Sequence, residues 1–328
     1  MSQMSAEYED ACVNHTLVVH ARRLLSDAPR MVRNLETNLK SATCPYLLLE
    51  IRREHLVEDT FHQVSRQWVN IKKPLKIKFV GGGEEGMDQG GVQKEFFNVL
   101  FEKLLAPSMG LFDTDPETRL QWMLPVVRSE ESLRTYEMVG VMMGLAIYNG
   151  VIMNLQFPQI LWKILVLPNE SDIETLANKH ELFTFQDLCE GWPALSHGLQ
   201  QLLDWEDDDV QDVFCRNYEI SVDVFGQGIV TWPLKPGGSA IPVTNANRLD
   251  FVRDYCTHFL YYAQREPLLA IRRGLWSIMG GSAMNLCSAQ VLEVVACGQR
   301  QTTDLDLEEL ERATEYDDGY NPEHITVR

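Results

Sequence analysis

At 328 residues the chain is too long for one ordinary domain and suits two, or one domain carrying a large insertion. With 45% hydrophobic and 23% charged residues, and only 21 Gly and 14 Pro, it reads as a soluble globular chain with a sizeable core, neither disordered nor fibrous. The 47 Asp and Glu against 29 Lys and Arg leave a net charge of −18, which repels a phosphate backbone and argues against nucleic acid as a partner.

From Ser5 to about Lys40 the composition is helical, broken at Pro29, with Leu17, Leu24, Met31, Leu35 and Leu39 as apolar positions. The first ten residues are acidic and polar, unlike a signal peptide, so the sequons at Asn14 and Asn169 are read as chance. After Pro45, YLLLEIRREHLVEDTFHQVSRQW reads as a long helix carrying Leu49, Leu56 and Phe61. The period then changes: Leu75, Ile77 and Phe79 alternate with Lys76 and Lys78, as in a half-buried strand. A glycine loop, GGGEEGMDQGG, leads into a helix with a thick stripe of Phe96, Phe97, Leu100, Phe101, Leu104 and Leu105, closed by Pro107.

Leu111 to Trp122 is turn-rich, Glu137 to Tyr148 is a buried helix, and another helix starts after Pro158. The apolar run Met138 to Tyr148 is too short to span a bilayer, which takes about 20 residues. Its Gly140-x-x-x-Gly144 spacing predicts close packing against a neighbouring helix. Between Glu181 and Ala263 a short apolar helix, an acidic run, two strands (Tyr218 to Phe225, Ile229 to Leu234) and a long helix from Asn247 suggest an inserted subdomain. Helices return at Pro267 to Trp276 and Ser288 to Val295, before an acidic tail.

Familiar catalytic signatures are missing. Gly81-x-Gly83-x-x-Gly86 fits a dinucleotide fingerprint, but Glu84 and Glu85 would oppose a pyrophosphate, so the glycines are read as turn formers. Neither G-x-S-x-G nor H-E-x-x-H occurs, and the eight histidines form no metal spacing. The seven cysteines are scattered, with no C-x-x-C pair, and read as reduced thiols of a cytosolic or nuclear protein. No cofactor and no metal is expected.

Interaction surfaces are more legible. Leu195, Leu199, Leu202 and Leu203 share one face of a short helix that ends at Trp205. On the long helix, Leu249, Val252, Cys256, Phe259 and Ala263 form one stripe, and Phe251, Tyr255 and Tyr262 a second, rotated by roughly 100° at 3.6 residues per turn. One stripe serves the core. The aromatic one is expected to meet the leucine helix and wall a recognition groove.

LKIKFVGGGEEGMDQGGVQKEFF resembles the N-terminal lobe of HECT-type ubiquitin ligases. PYLLLEIRREHLVEDTF, PSMGLF, VGVMMGLAIYNGVIM, QLLDWEDDDVQDVF, IPVTNANRLDFVRDY and EVVACG followed by TEYDDGY fall in the family's order, so the resemblance covers nearly all the chain from Pro45. It is nearest to the E6-associated-protein-like ligases and those with regulator-of-chromosome-condensation-like repeats, although no such repeats occur here. Two departures stand out. The triple glycine Gly81 to Gly83 is longer than the family's loop, and the sequence stops at Arg328, shortly after Tyr316 to Tyr320, where the family's cysteine-bearing C-terminal lobe would begin. That lobe is expected to be absent from this chain, and Thr43-Cys44, which mimics the T-C of the thioester site, to be structural.

The resemblance implies an α+β, mostly helical N-lobe over 45–328 after a helical lead-in at 1–44, with a smaller mixed subdomain at about 186–262. It implies docking of a ubiquitin-loaded conjugating enzyme at Leu195, Leu199, Leu202, Leu203, Trp205, Phe251 and Tyr255, with no catalytic residue in this chain. Its implied partners are a conjugating enzyme, ubiquitin, and substrate proteins bound through other regions, with no membrane span. The competing expectations are a truncated protein that occupies conjugating enzymes without ligating, an excised ligase fragment, and a helical scaffold whose stripes are both buried.

Overall fold

The computed structural model describes residues 44–81, 91–125, 129–224, 226–281, 284–299 and 312. The expected lead-in helices, most of the glycine loop and the acidic tail with Tyr316 to Tyr320 lie outside them. The chain is α+β and mostly helical, with three two-stranded sheets among the described residues.

Strands β1 (Leu47–Arg52) and β2 (Leu75–Val80) pair in parallel, Leu47 opposite Leu75 and Ile51 opposite Phe79. Every second residue of each strand is buried. The segment read as one long helix is therefore a strand followed by helix α1 (Leu56–Arg66). Leu48, on the exposed face, fills a gap in the alternation and hides the strand's period.

Side chains of α1 satisfy the free edge of β1. Gln63 accepts from the Glu50 N–H at 2.9 Å and donates back to the Glu50 carbonyl, while Gln67 donates to the Leu48 carbonyl at 2.9 Å. Asp59 accepts from the Arg52 backbone N–H and from its guanidinium at 2.7 to 3.0 Å. An edge strand is thereby blocked against pairing with another chain.

Helix α2 (Gly91–Leu105) lays its phenylalanines and leucines into the core, as its stripe predicts. The turn-rich segment contains a short hairpin, β3 (Phe112–Thr114) and β4 (Gln121–Met123). Helix α3 (Glu130–Tyr148) begins earlier than its apolar run, at a capping box between Ser129 and Ser132. There follow α4 (Gln159–Val166), α5 (Glu170–Asn178), α6 (Phe185–Gly191), α7 (Pro193–Asp204) and α8 (Val210–Phe214). A second hairpin, β5 (Glu219–Val224) and β6 (Gly228–Pro233), precedes α9 (Arg248–Leu260), α10 (Arg265–Met279) and α11 (Ala289–Cys297).

The Gly140 and Gly144 pair packs as its spacing predicts. A Cβ on Gly140 would lie 1.9 Å from the Ile271 carbonyl oxygen of α10, and one on Gly144 would lie 2.8 Å from the Ile278 Cβ. Gly274 of α10 answers from the other side: a Cβ there would lie 1.9 Å from the Glu137 carbonyl oxygen. The two backbones touch, and only glycine permits that. On its other flank α10 closes the end of α4: Arg272 donates to the carbonyls of Leu167 and Pro168, and the Trp276 indole to that of Leu165 at 2.8 Å. No helix among the described residues is long and apolar enough to cross a membrane.

Candidate functional site: an interaction surface around the leucine helix

Pro193 opens α7 and Trp205 closes it, so the leucines of SHGLQQLL fall on one face by helical period alone. That face meets α9; of the seven residues singled out from the sequence, Leu199, Leu202, Phe251 and Tyr255 belong to the buried core, and Leu195, Leu203 and Trp205 pack against it. Their exposures divide them. Phe251 is 0% exposed, Leu202 1%, Leu199 2% and Tyr255 6%, whereas Leu195, Leu203 and Trp205 are partly exposed.

This corrects the expected groove. Leu199 and Phe251 do not line an open wall; both are buried in the core. The roof over Phe251 is Tyr218, whose ring stands edge-on to it at 5.4 Å and whose hydroxyl donates to Asp254 at 2.7 Å. Lys235 places its ammonium over the Tyr218 ring, 3.5 Å from the centroid. Desolvation, then the Asp254 carboxylate, pushes the Tyr218 phenol above its ordinary range. The stripes themselves also differ from expectation: Leu249 and Tyr262 are exposed.

What remains open is the outer edge of α7. Trp205 packs edge-on against Phe214 at 5.6 Å, and its indole N–H donates to Asp209 at 2.7 Å. A cleft of about 690 Å³ lies there, with Trp205, Val213 and Phe214 as its apolar surface and His197, Asp204, Glu206 and Asp207 among its polar residues.

The segment 205–210 owes its position to side chains from elsewhere. Arg248, at the start of α9, donates to the carbonyls of Leu202 at 3.2 Å and Trp205 at 2.5 Å. Asn245 donates to the Asp207 carbonyl at 2.7 Å and accepts from the Val210 N–H at 3.3 Å. Sequence reasoning missed Arg248, Asn245, Phe214 and Tyr218. For Asn245 and Arg248 the signal was a cluster of polar side chains, TNANR, at the start of the long helix, of a kind that bonds nearby backbone.

Cys256, on α9, is buried, and desolvation pushes its thiol up to about 12, far from a reactive thiolate. Cys215 is exposed, and its thiol donates to the Asp212 carbonyl at 3.1 Å. Cys44, of the T-C dipeptide, is half-buried, and its carbonyl accepts from the Lys73 ammonium at 2.6 Å.

A model of the HECT domain (ubiquitin-transferase) matches residues 98–328. The probable E3 ubiquitin-protein ligase HECTD2 of Mus musculus is 34% identical over 285 residues, covering 86% of this chain and 35% of that protein. The probable E3 ubiquitin-protein ligase HERC4 of Homo sapiens is 35% identical over 286 residues, covering 87% and 25%. The probable E3 ubiquitin-protein ligase HERC3 of Homo sapiens is 31% identical over 332 residues, covering 100% and 28%. The chain thus spans about a third or less of the length of these relatives. With the family model matched across more than half the sequence, the chain belongs to the HECT-domain family.

Proposed function

We propose that this chain is the conjugating-enzyme-docking lobe of a HECT-type ubiquitin ligase. It holds a ubiquitin-loaded conjugating enzyme while ubiquitin passes to a ligase cysteine. In that reaction the ligase thiolate attacks the ubiquitin carbonyl, a new thioester forms, and the conjugating enzyme's thiolate leaves. A substrate lysine then attacks in turn.

The observation that carries the reading is the partly exposed trio Leu203, Trp205 and Phe214, packed against the buried core that includes Leu199, Leu202, Phe251 and Tyr255, with Trp205 and Phe214 lining the cleft. Aromatic anchors at the edge of a well-packed floor are the usual energetic centre of an interface. The acidic rim at Glu206 and Asp207 acts on association rate and salt dependence more than on the strength of the complex. A relay partner has to leave after transfer, so a micromolar dissociation constant, on the order of −8 kcal/mol, suits the role.

Interferometry of the chain against a panel of ubiquitin-loaded conjugating enzymes tests this. Trp205→Ala and Leu203→Ala should each weaken binding at least roughly tenfold, about 1.4 kcal/mol, with an unchanged thermal midpoint. Unchanged affinity in both folded variants would remove the cleft from the reading.

A further inference from the structure

A second cavity, of about 420 Å³, shares no lining residue with the cleft beside α7. Its walls come from the β3–β4 hairpin, the α6–α7 junction, the β5–β6 hairpin and the end of α9. Four rings line it: Trp122, Trp192, Trp232 and Phe259. Trp192 stands edge-on to Trp122 at 5.4 Å and to Phe259 at 5.1 Å, so three of the four are locked into one rigid array. Trp232 is half-buried on the second hairpin.

The charged groups among its described lining residues are both acids, Asp113 and Asp115. One oxygen of Asp113 accepts from the Thr114 N–H at 2.8 Å. One oxygen of Asp115 accepts from the N–H groups of Glu117 and Thr118 and from the Thr118 hydroxyl. Each carboxylate keeps its other oxygen, and neither has an ion-pair partner among the described residues. The cavity thus sets aromatic faces beside carboxylates, a combination that a planar organic cation uses in full and an anion does not.

We propose that this cavity takes the guanidinium of an arginine side chain presented by a partner polypeptide. Arginine fits better than lysine because its planar group is weakly hydrated, stacks on indole faces and forks a carboxylate, whereas an ammonium keeps its water. The volume lies in the usual range of ligand sites and accommodates an arginine with part of its neighbour. His258 lies beside Trp232, with ring centroids 6.0 Å apart. Burial holds this imidazole below the ordinary histidine range, so it adds no opposing positive charge near neutral pH. The inference does not depend on conjugating-enzyme docking, because a different set of residues carries it.

The test uses the full 328-residue chain and the end-blocked, fluorescein-labelled peptide Gly-Leu-Arg-Leu-Gly, read by anisotropy. Counterparts carry lysine or the neutral isostere citrulline in place of arginine. The arginine peptide should bind saturably, at least tenfold more tightly than the citrulline peptide and more tightly than the lysine peptide. Asp113→Asn, on an exposed residue, should weaken the arginine peptide at least fivefold and leave the citrulline peptide unchanged. Trp232→Ala should weaken it at least tenfold. Equal binding of arginine and citrulline peptides, a lysine peptide that binds as tightly, or no saturable binding would each overturn the proposal. If Trp232→Ala lowers the thermal midpoint, the Asp113→Asn comparison decides alone.

Discussion

Replacing Gly140 by alanine should be among the most damaging single-methyl changes in this chain. The new Cβ would sit 1.9 Å from the Ile271 carbonyl oxygen and 2.9 Å from the Leu275 nitrogen. Both are backbone atoms, so no side chain can swing away. Relieving the oxygen contact to an ordinary separation of about 3.4 Å means moving α3 and α10 apart by roughly 1.5 Å, and a gap of even about 0.5–1 Å forfeits a quarter to a half of each dispersion contact across the interface. The residues that lose contact, among them Val139, Met143, Ile271 and Leu275, are all buried. Overpacking typically costs about 1–3 kcal/mol, and a rigid backbone clash lies at or above the top of that range, so about 3–5 kcal/mol is expected. For a chain of this size, at roughly 1.5 °C per kcal/mol, that lowers the thermal midpoint by about 4–7 °C. Gly198→Ala is the control. Gly198 lies within α7 with nothing within 4 Å of its would-be Cβ, so alanine should be neutral or stabilise by about 0.5–1 kcal/mol. Differential scanning fluorimetry of the two variants side by side gives the answer. A Gly140→Ala midpoint within about 2 °C of the parent would refute the backbone-contact reasoning.

Three further outcomes follow from side-chain contacts. The hydrogen bond from Arg52 holds the Asp59 carboxyl down to about 2 against 3.8 unfolded. Its contribution is therefore present above pH 4 and lost as the pH falls from about 4 to 2, and urea midpoints across that window should fall less steeply in Asp59→Asn. Tyr218 and Tyr261 are raised above the ordinary phenol value by desolvation and by hydrogen bonds to Asp254 and Glu174, and Tyr255 by desolvation. Ultraviolet titration should show a delayed phenolate fraction that ionises only as the protein unfolds, and the stability these phenols contribute below pH 10 should decline above it. Arg248→Ala should release the loop at Trp205 by removing two carbonyl contacts, costing about 1–3 kcal/mol. Faster amide hydrogen exchange at 205–210 would register that release, and unchanged exchange there would count against the clamp.

The helical periods were readable because each is set locally, and α2, α3, α7 and α9 all fall on the stripes that Phe96 to Leu105, Met138 to Tyr148, Leu195 to Leu203 and Phe251 to Tyr255 define. Strand β1 was not readable, because its partner β2 lies beyond an intervening helix and Leu48 disguises the alternation. The glycine spacing of α3 announced a close approach, but not that Gly274 would be the answering residue. The same limit governs the candidate site. A stripe of leucines or aromatics specifies a face to be covered, and whether the cover is a partner or the chain itself depends on residues distant in sequence. Here Tyr218 covers Phe251, and Arg248 and Asn245 position the loop that leaves Trp205 and Phe214 half-open.

The docking reading is tested most directly by hydrogen exchange on the chain with and without a saturating ubiquitin-loaded conjugating enzyme. The account predicts new protection concentrated at 203–214, around Leu203, Trp205 and Phe214, with already slow exchange at Phe251 and Tyr255 little changed. Protection confined to other surfaces, with 203–214 exchanging as in the free chain, would contradict it.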